Sequence, residues 1–488
     1  MSLAEMTKPE AGAARTLPRM LAVDLDGTLL RSNMLHETFW SAFSRDWRAP
    51  LRAAAGLGRG KAQLKAILAE RSSVDVTVLP YDDEVIAYIH QWRAQGGQVA
   101  LVTATDQRLA DAIGGHLGLF DEVFGSDGVR NLKGPNKARF LVERYGQGNF
   151  AYVGDTHADD EVWRASGHAV VKSRSHRVRA RAQAHESFHA ITPPAGSASG
   201  LIKALRPHQW AKNVLVFLAL AGAHQFFNAE LVLRAFGAFV AFCLVASSVY
   251  LVNDLLDLSA DRAHARKRNR PFASGAAAIE LGLPVTVLLL VAGFAIAALL
   301  GPMFLLTIGI YFVTTTAYSL SLKRYPIIDI CVLAGLYTIR VLAGGVAVGL
   351  PISVWLLAFS LFIFFSLAAV KRQAELVDAV NAGKLEIVGR GYHPGDLELV
   401  SQLATASGLV SVLVITLYLS SDAVTQIYTH PQMLWGVTPV LLFWISRVIF
   451  KAHRGEMHDD PIVFAAKDRV SMVCGVLVFA FAAAATLP

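Results

Sequence analysis

Asn253, Asp254, Asp257 and Asp261 fall within one short stretch, NDLLDLSAD, followed by Arg262, Arg266, Lys267, Arg268 and Arg270. On a helix, spacing by four lines Asn253, Asp257 and Asp261 along one face with Asp254 beside them. Three carboxylates on a single face repel one another unless a cation sits among them. Hard oxygen ligands of this kind suit Mg²⁺, which keeps several waters and bridges to a substrate's phosphates. The cations just downstream are donors suited to phosphate oxygens. An apolar run, 238–252, precedes this stretch and another begins at Leu281, so it lies where a membrane span meets water. A solvated basic loop would account for the cations but not for carboxylates set against a membrane.

A second set of chemically capable residues opens the chain. The apolar run 20–25 ends in DLDGTL, residues 24–29. A strand followed by a glycine-containing turn places Asp24 and Asp26 at the carboxyl edge of a parallel sheet, the usual position of sites in α/β folds. Further strand-like runs at 99–103, 151–154 and 169–171 alternate with helical stretches, which predicts a doubly wound α/β fold. The insert between about 31 and 95 reads as mostly helical and as a cap over the site.

This half resembles the haloacid-dehalogenase-type phosphatase superfamily through four dispersed motifs in order: DLDGT, LVTAT, GPNKARFL and VGDTHADD. The resemblance implies Asp24 as nucleophile, Asp26 as general acid/base and Thr103 as a phosphate-binding hydroxyl. It implies Lys137 as the cation that neutralises the phosphate, with Lys133 the weaker choice. Asp24, Asp155 and Asp159 are then the expected Mg²⁺ ligands, with Asp26 counted in the same metal set. The chemistry is self-consistent: a carboxylate attacks phosphorus only where a metal and a lysine screen the repulsion between two anions.

Composition sets the frame. The 488 residues are 54% hydrophobic with a net charge of +7, and the mean hydropathy is +0.43. The apolar excess lies after residue 200, so a soluble domain (18–190) is expected to join a membrane domain (201–488) through a linker (191–200). Most of the surplus positive charge sits in the linker region and the membrane-adjacent loops. That pattern points to a phospholipid surface and phosphorylated substrates, not nucleic acid. Cys243, Cys331 and Cys474 all sit in apolar runs, with neither disulfide nor metal spacing, and read as packing residues. Residues 1–19 hold no apolar core segment, so no signal peptide is expected and the first domain should stay in the cytoplasm. The basic run from Lys172 to Arg181 reads equally as a strip lying on anionic headgroups or as the last helix of the first domain. The following PPAGSASG reads as a flexible tether.

Beyond residue 200 nine apolar segments are expected to cross the membrane, at about 213–227, 233–252, 281–299, 303–321, 327–349, 352–370, 399–420, 433–450 and 469–487. The preceding LIKALRPHQWAKN reads as an interfacial segment. Loops after the second, fourth, sixth and eighth spans carry the cations, which makes that side cytoplasmic, as in the inner membrane of a bacterium, and the carboxyl terminus external. Tyr318 and Lys323 fall at a span end with Asp329 shortly after. Arg340 interrupts an apolar helix, where a cation ordinarily faces a cavity or an anionic partner. Lys371, Arg372 and Glu375 end the sixth span, and GEMHDDP adds His458, Asp459 and Asp460. These polar residues are expected to converge on one cavity.

The membrane half resembles the UbiA-type intramembrane prenyltransferase superfamily over essentially its whole length, and most of all its decaprenyl-phosphate phosphoribosyltransferase-like branch. The motifs that carry this are NDxxDxxxD (Asn253, Asp254, Asp257, Asp261), the following RxxxKRxRPxAxG with Arg262, Lys267 and Arg270, Tyr318 with Lys323, and the HDDP loop. Members that use prenyl diphosphates need a second aspartate pair spaced by four. Here Asp329 has Leu333 four residues on. The resemblance, with this departure, implies transfer of 5-phosphoribose from phosphoribosyl diphosphate to a polyprenyl phosphate. Asp254, Asp257 and Asp261 would hold Mg²⁺. Asn253, Arg262, Arg266, Lys267, Arg270, Tyr318, Lys323, Arg340, Lys371 and Arg372 would bind substrate. The fused phosphatase would remove the product's 5-phosphate, as an arabinose-donor pathway of the cell wall requires. Two other readings stay open: prenylation of an aromatic acceptor, and a non-enzymatic lipid-phosphate transporter.

Overall fold

The computed structural model describes residues 17–46, 48–49, 52–53, 61–127, 131–185, 187–192, 197–383, 390–421, 424, 428–457 and 460–486. The chain divides into two compact units, one formed by Met1–Ala204 with Val252–Leu283 and the other by Leu205–Leu251 with Pro284–Pro488.

The first unit is built on a six-stranded parallel sheet with the order β3-β2-β1-β4-β5-β6. Its strands are β1 (Met20–Val23), β2 (Gln98–Asp106), β3 (Glu122–Ser126), β4 (Phe150–Gly154), β5 (His168–Lys172) and β6 (Phe188–Ile191). Successive side chains of a strand face opposite ways, and helices cover both faces of a parallel sheet. Leu21 and Val23 accordingly pack with Val85, Ile89, Trp92 and Ile113 on one face. Ala22 packs with Leu141, Trp163 and Val178 on the other. The doubly wound α/β fold expected from the sequence is present. Strands β3 and β6 were not legible, because Glu122–Ser126 is short and only part-buried and Phe188–Ile191 carries two exposed positions. Between β1 and β2 the chain is helical, at Met34–Arg45, Lys61–Arg71 and Asp83–Ala94. Lys172 ends β5, and the later part of the basic run forms a helix, His176–Gln183, with Val178 and Ala182 buried. Residues 193–196 of the expected tether lie outside the described residues; Ser197–Ala204 is helical.

The second unit is all helical. Among the described residues eight helices of the chain are long and apolar enough to cross a membrane: Ala229–Leu256, Ile279–Leu300, Pro302–Leu320, Ile328–Val348, Val354–Asn381, Pro394–Leu419, Pro431–His453 and Arg469–Thr486. They correspond to eight of the nine expected segments. The ninth, 213–227, is broken into the end of a 3₁₀ segment, Pro207–Phe217, a short α-helix, Leu218–Gly222, and the turns that follow it. The reason is local. Arg206 takes a positive φ of 55° just before Pro207, and the Trp210 indole is tied by its Nε1 to Ser247 Oγ at 3.1 Å. The tighter 3₁₀ winding turns Lys212 and Asn213 inward, where both are buried.

Candidate active sites

In the first unit three adjacent strands deliver the chemistry at one sheet edge. Asp24 follows β1, Thr103 lies in β2, and Asp155 follows β4. Gly27 makes the turn possible: its φ is +78°, and a Cβ there would stand 2.2 Å from Asp155 Oδ2. Carboxylate oxygens of Asp24, Asp155 and Asp159 all lie within 4.8 Å of one another. Three hard anionic ligands at that spacing fit one Mg²⁺. Lys137 Nζ reaches Asp24 Oδ1 at 2.5 Å and Tyr152 OH at 2.8 Å. Tyr152 OH in turn donates to Asp159 Oδ1 at 2.7 Å. Asp159 Oδ2 accepts from Thr156 N at 3.1 Å and Asp155 N at 3.3 Å, which leaves its orientation fixed.

Burial governs the electrostatics here. It pushes the Asp24 carboxyl up to about 6, against the pull of Lys137. Asp155 is pushed well above the usual carboxylate range by burial and by the neighbouring Asp159 and Asp24. Carboxyls so raised and clustered are what a bound cation would relieve. Lys137 fills the lysine position geometrically, whereas Lys133 is exposed. The Asp26 carboxylate stands outside the three-carboxylate group. Its Oδ1 accepts from Met34 N at 2.7 Å and its Oδ2 from Thr105 Oγ1 at 3.4 Å. Thr103 is fully buried, and its Oγ1 accepts from Thr105 N at 3.1 Å.

The acidic run of residues 253–261 also belongs to the first unit. Backbone bonds from Asp257 N to Asn253 O and from Asp261 N to Asp257 O, 2.9 and 2.8 Å, continue the helical spacing. A single nitrogen, Arg270 Nη1, bridges Asp254 Oδ1 at 3.2 Å and Asp261 Oδ2 at 2.7 Å. Asp254 and Asp261 are both buried, and the Arg270 guanidinium is the cation between them. Asp257 stands at the N-cap position of the next helix, Leu258–Ala263, without a side-chain capping bond. Arg266 and Lys267 are exposed. Arg262 instead is buried and donates to Glu37 from both terminal nitrogens, at 2.9 and 2.6 Å.

In the second unit the polar residues singled out in the sequence fall into three separate clusters. Asp460 receives Lys212 Nζ at 2.8 Å, Lys371 Nζ at 3.1 Å and Tyr337 OH at 3.0 Å. Burial alone would raise the Asp460 carboxyl, but the two ammoniums outweigh it and hold it well below the usual range. Arg340 is spent on Asn213 Oδ1 at 2.8 Å and Tyr311 OH at 2.9 Å, with its guanidinium 4.8 Å from the Tyr311 ring centre. Asp329 is fully buried and paired with Arg372 at 3.0 Å and Arg390 at 3.1 Å. Both arginines also reach Tyr318 OH at 3.3 Å, and both pair with Glu375. Lys323 is part-buried. His458 and Asp459 lie outside the described residues.

Several partners escaped the sequence reading. Lys212 and Asn213 were legible only as part of an interfacial segment; their signal is a polar pair two residues after Trp210 in a stretch that turns apolar. Tyr152 and Tyr337 sit among apolar neighbours that hide their hydroxyl roles. Glu37 had no signal beyond a first-turn acid in a helix.

Fold and sites together define a two-part membrane enzyme, a phosphatase-type α/β domain joined to a polytopic helical transferase domain. The haloacid dehalogenase-like hydrolase family matches residues 21–186 and the UbiA prenyltransferase family residues 213–459. The chain is 38% identical over 474 residues to the uncharacterized protein y4nM of Sinorhizobium fredii, covering 95% of this chain and 90% of that protein. It is 35% identical over 289 residues to the decaprenyl-phosphate phosphoribosyltransferase of Mycolicibacterium smegmatis, covering 58% of this chain and 90% of the relative. With the nodulation protein NoeC of Azorhizobium caulinodans it shares 34% identity over 275 residues, 56% of this chain and 88% of the relative. The chain belongs to the UbiA prenyltransferase family.

Proposed function

We propose that the membrane domain transfers 5-phosphoribose from phosphoribosyl diphosphate to a polyprenyl phosphate, and that the phosphatase-type domain then removes the 5-phosphate of the product. The observation that carries this reading is the state of Asp329. At the place where a prenyl diphosphate enzyme needs a second metal-binding aspartate pair, this carboxylate is fully buried and occupied by Arg372 and Arg390. A carboxylate neutralised in this way is not set up to hold a second metal-bound diphosphate. The similarity to a decaprenyl-phosphate phosphoribosyltransferase supports the same donor and acceptor.

In the transfer step a lipid phosphate oxygen attacks the anomeric carbon, the bond to the diphosphate breaks, and pyrophosphate leaves. The nucleophile is already an anion, so no base is needed. The demand is to hold two polyanions side by side, which fixed cations meet by positioning and by charge stabilisation. Arg266, Lys267 and Arg270 would take donor phosphates. Lys212 and Lys371, aligned by Asp460, would take a phosphate of the donor or of the lipid. Mg²⁺ held by Asp254, Asp257 and Asp261 would supply charge neutralisation for the departing diphosphate.

In the second step Asp24 attacks the 5-phosphorus, the bond from phosphorus to the ribose 5-oxygen breaks, and Asp26 protonates that departing oxygen. Water then cleaves the aspartyl phosphate. Lys137 holds the phosphoryl oxygens, and Tyr152 keeps Lys137 aimed. Asp24, Asp155 and Asp159 would hold Mg²⁺, which would supply screening of charge in this attack. Carrying both activities on one chain raises the local concentration of the intermediate lipid without any new contact. The loop charges support a cytoplasmic first domain in the inner membrane.

The test supplies purified protein with Mg²⁺, polyprenyl phosphate and labelled phosphoribosyl diphosphate, and in parallel with a prenyl diphosphate and an aromatic acceptor. Label in the lipid fraction of the first mixture alone is the expected result. Product in the second mixture alone would replace this reading with aromatic prenylation.

A further inference from the structure

Glu37 belongs to none of the phosphatase motifs, yet it makes one of the best-formed ion pairs in the first unit. It lies in the first turn of helix Met34–Arg45. Its two carboxylate oxygens receive Nη1 and Nη2 of Arg262 at 2.9 and 2.6 Å, and the side chains are only 3% and 4% exposed. The third arm of the guanidinium, Nε, donates to Ala273 O at 3.0 Å. Ser32 Oγ donates to Glu37 Oε1 and fixes the carboxylate from behind. A fork-to-fork pair of this kind carries geometric specificity that a lysine could not supply.

The same pair of segments meets again a few residues on. Gly275 has a φ of +73°, and a Cβ there would stand 2.6 Å from Arg31 Cβ and 2.7 Å from Arg31 O. Residues 262 and 275 are thus both seated on the stretch that runs from Arg31 to Glu37. Between them lie the exposed Arg266 and Lys267, and Arg270, whose guanidinium spans Asp254 and Asp261. The basic segment is seated at both ends on Arg31 and Glu37, which lie outside the four phosphatase motifs.

We infer that Glu37 is a positioning residue for the transfer reaction: by clamping Arg262 it holds the 262–275 segment in the form that presents Arg266, Lys267 and Arg270 to the phosphorylated donor. The role in transfer rests on the function proposed above; the clamp itself does not. Arg262 then acts as the anchor of the segment and not as a phosphate ligand. Loss of the Glu37 charge leaves a buried guanidinium uncompensated, which favours release of the segment over retention of the pair.

The experiment compares full-length wild type, Glu37→Gln and Arg262→Lys in lipid nanodiscs, with three readouts. Amide hydrogen exchange across residues 262–275 should rise on the order of tenfold or more in both variants, because one enclosed ion pair no longer closes the segment. KM for phosphoribosyl diphosphate should rise about tenfold in Glu37→Gln, with kcat changed much less. Hydrolysis of p-nitrophenyl phosphate should stay within about twofold in that variant, since Glu37 touches none of Asp24, Asp26, Lys137, Asp155 and Asp159. Exchange unchanged in both variants overturns the clamp. Raised exchange with an unchanged KM overturns the positioning role. Wild type that transfers no phosphoribose overturns the proposed function and the positioning role with it, while the exchange data still decide the clamp.

Discussion

Arg372 and Asp329 are both fully shielded from water and lie 3.0 Å apart, in a chain whose relatives include phosphoribosyl transferases. A buried pair of this kind contributes little net stability over an apolar pair, but removing one member strands the other charge. Asp329→Ala should therefore cost about 3–5 kcal/mol, read as a lower melting temperature of the detergent-solubilised protein. Its Mg²⁺ dependence should stay as in wild type, because this carboxylate neutralises arginines. A variant of normal stability with altered metal dependence would show Asp329 to be a ligand after all.

Asp24→Asn should abolish phosphate-ester hydrolysis, by about 10³-fold or more, as expected when a covalent nucleophile is lost. Transfer of phosphoribose should continue. The lipid product should then accumulate with its phosphate retained, visible by thin-layer chromatography and mass spectrometry.

Asp82 gives a pH signature to the first unit. Its side chain is completely enclosed and pairs with Lys172 at 2.8 Å and Arg31 at 3.0 Å. Burial would raise its carboxyl, but these two cations outweigh that and hold it below the usual value. The folded state thus binds this proton more weakly than the unfolded state. The stabilisation is complete above about pH 4, the ordinary carboxylate value, and is lost as pH falls through the depressed one. Asp82→Asn should flatten this acid limb in melting curves taken between about pH 2 and pH 5. Lys172 Nζ also donates to Thr28 O at 2.7 Å and Gly27 O at 3.2 Å. Lys172→Met should therefore slow hydrolysis by loosening the turn that follows Asp24, on the order of tenfold.

Asp460 aligns two ammoniums and a phenol while capping the helix Pro461–Lys467. Asparagine preserves such a cap but removes the charge. Asp460→Asn should keep the fold and lower kcat/KM for transfer about 10–100-fold, as Lys212 and Lys371 lose their common anchor. Retained kinetics would remove this cluster from the site.

Much of the phosphatase site was legible because its residues carry fixed chemistry at sheet edges: Asp24 after an apolar strand, Thr103 in another, Asp155 after a third. A parallel sheet brings such ends together regardless of their distance along the chain. The acidic run at 253–261 was legible because helical spacing makes it one face. What stayed hidden is what depends on packing between elements. Glu37 reads as an ordinary first-turn acid, and only the fold shows that Arg262 is its partner. Lys212 reads as interfacial until the 3₁₀ winding turns it inward. Arg270 reads as a phosphate ligand, and its bridge between Asp254 and Asp261 requires the turn that follows.

The central claim is that one chain first moves phosphoribose onto a lipid phosphate and then strips its phosphate. It is tested most directly with phosphoribosyl diphosphate labelled separately in the ribose carbons and in the 5-phosphate. Wild type should yield a lipid that carries the ribose label without the phosphate label, and Asp24→Asn a lipid that carries both. A wild-type lipid fraction without ribose label, or one in which both labels persist unchanged, would contradict it.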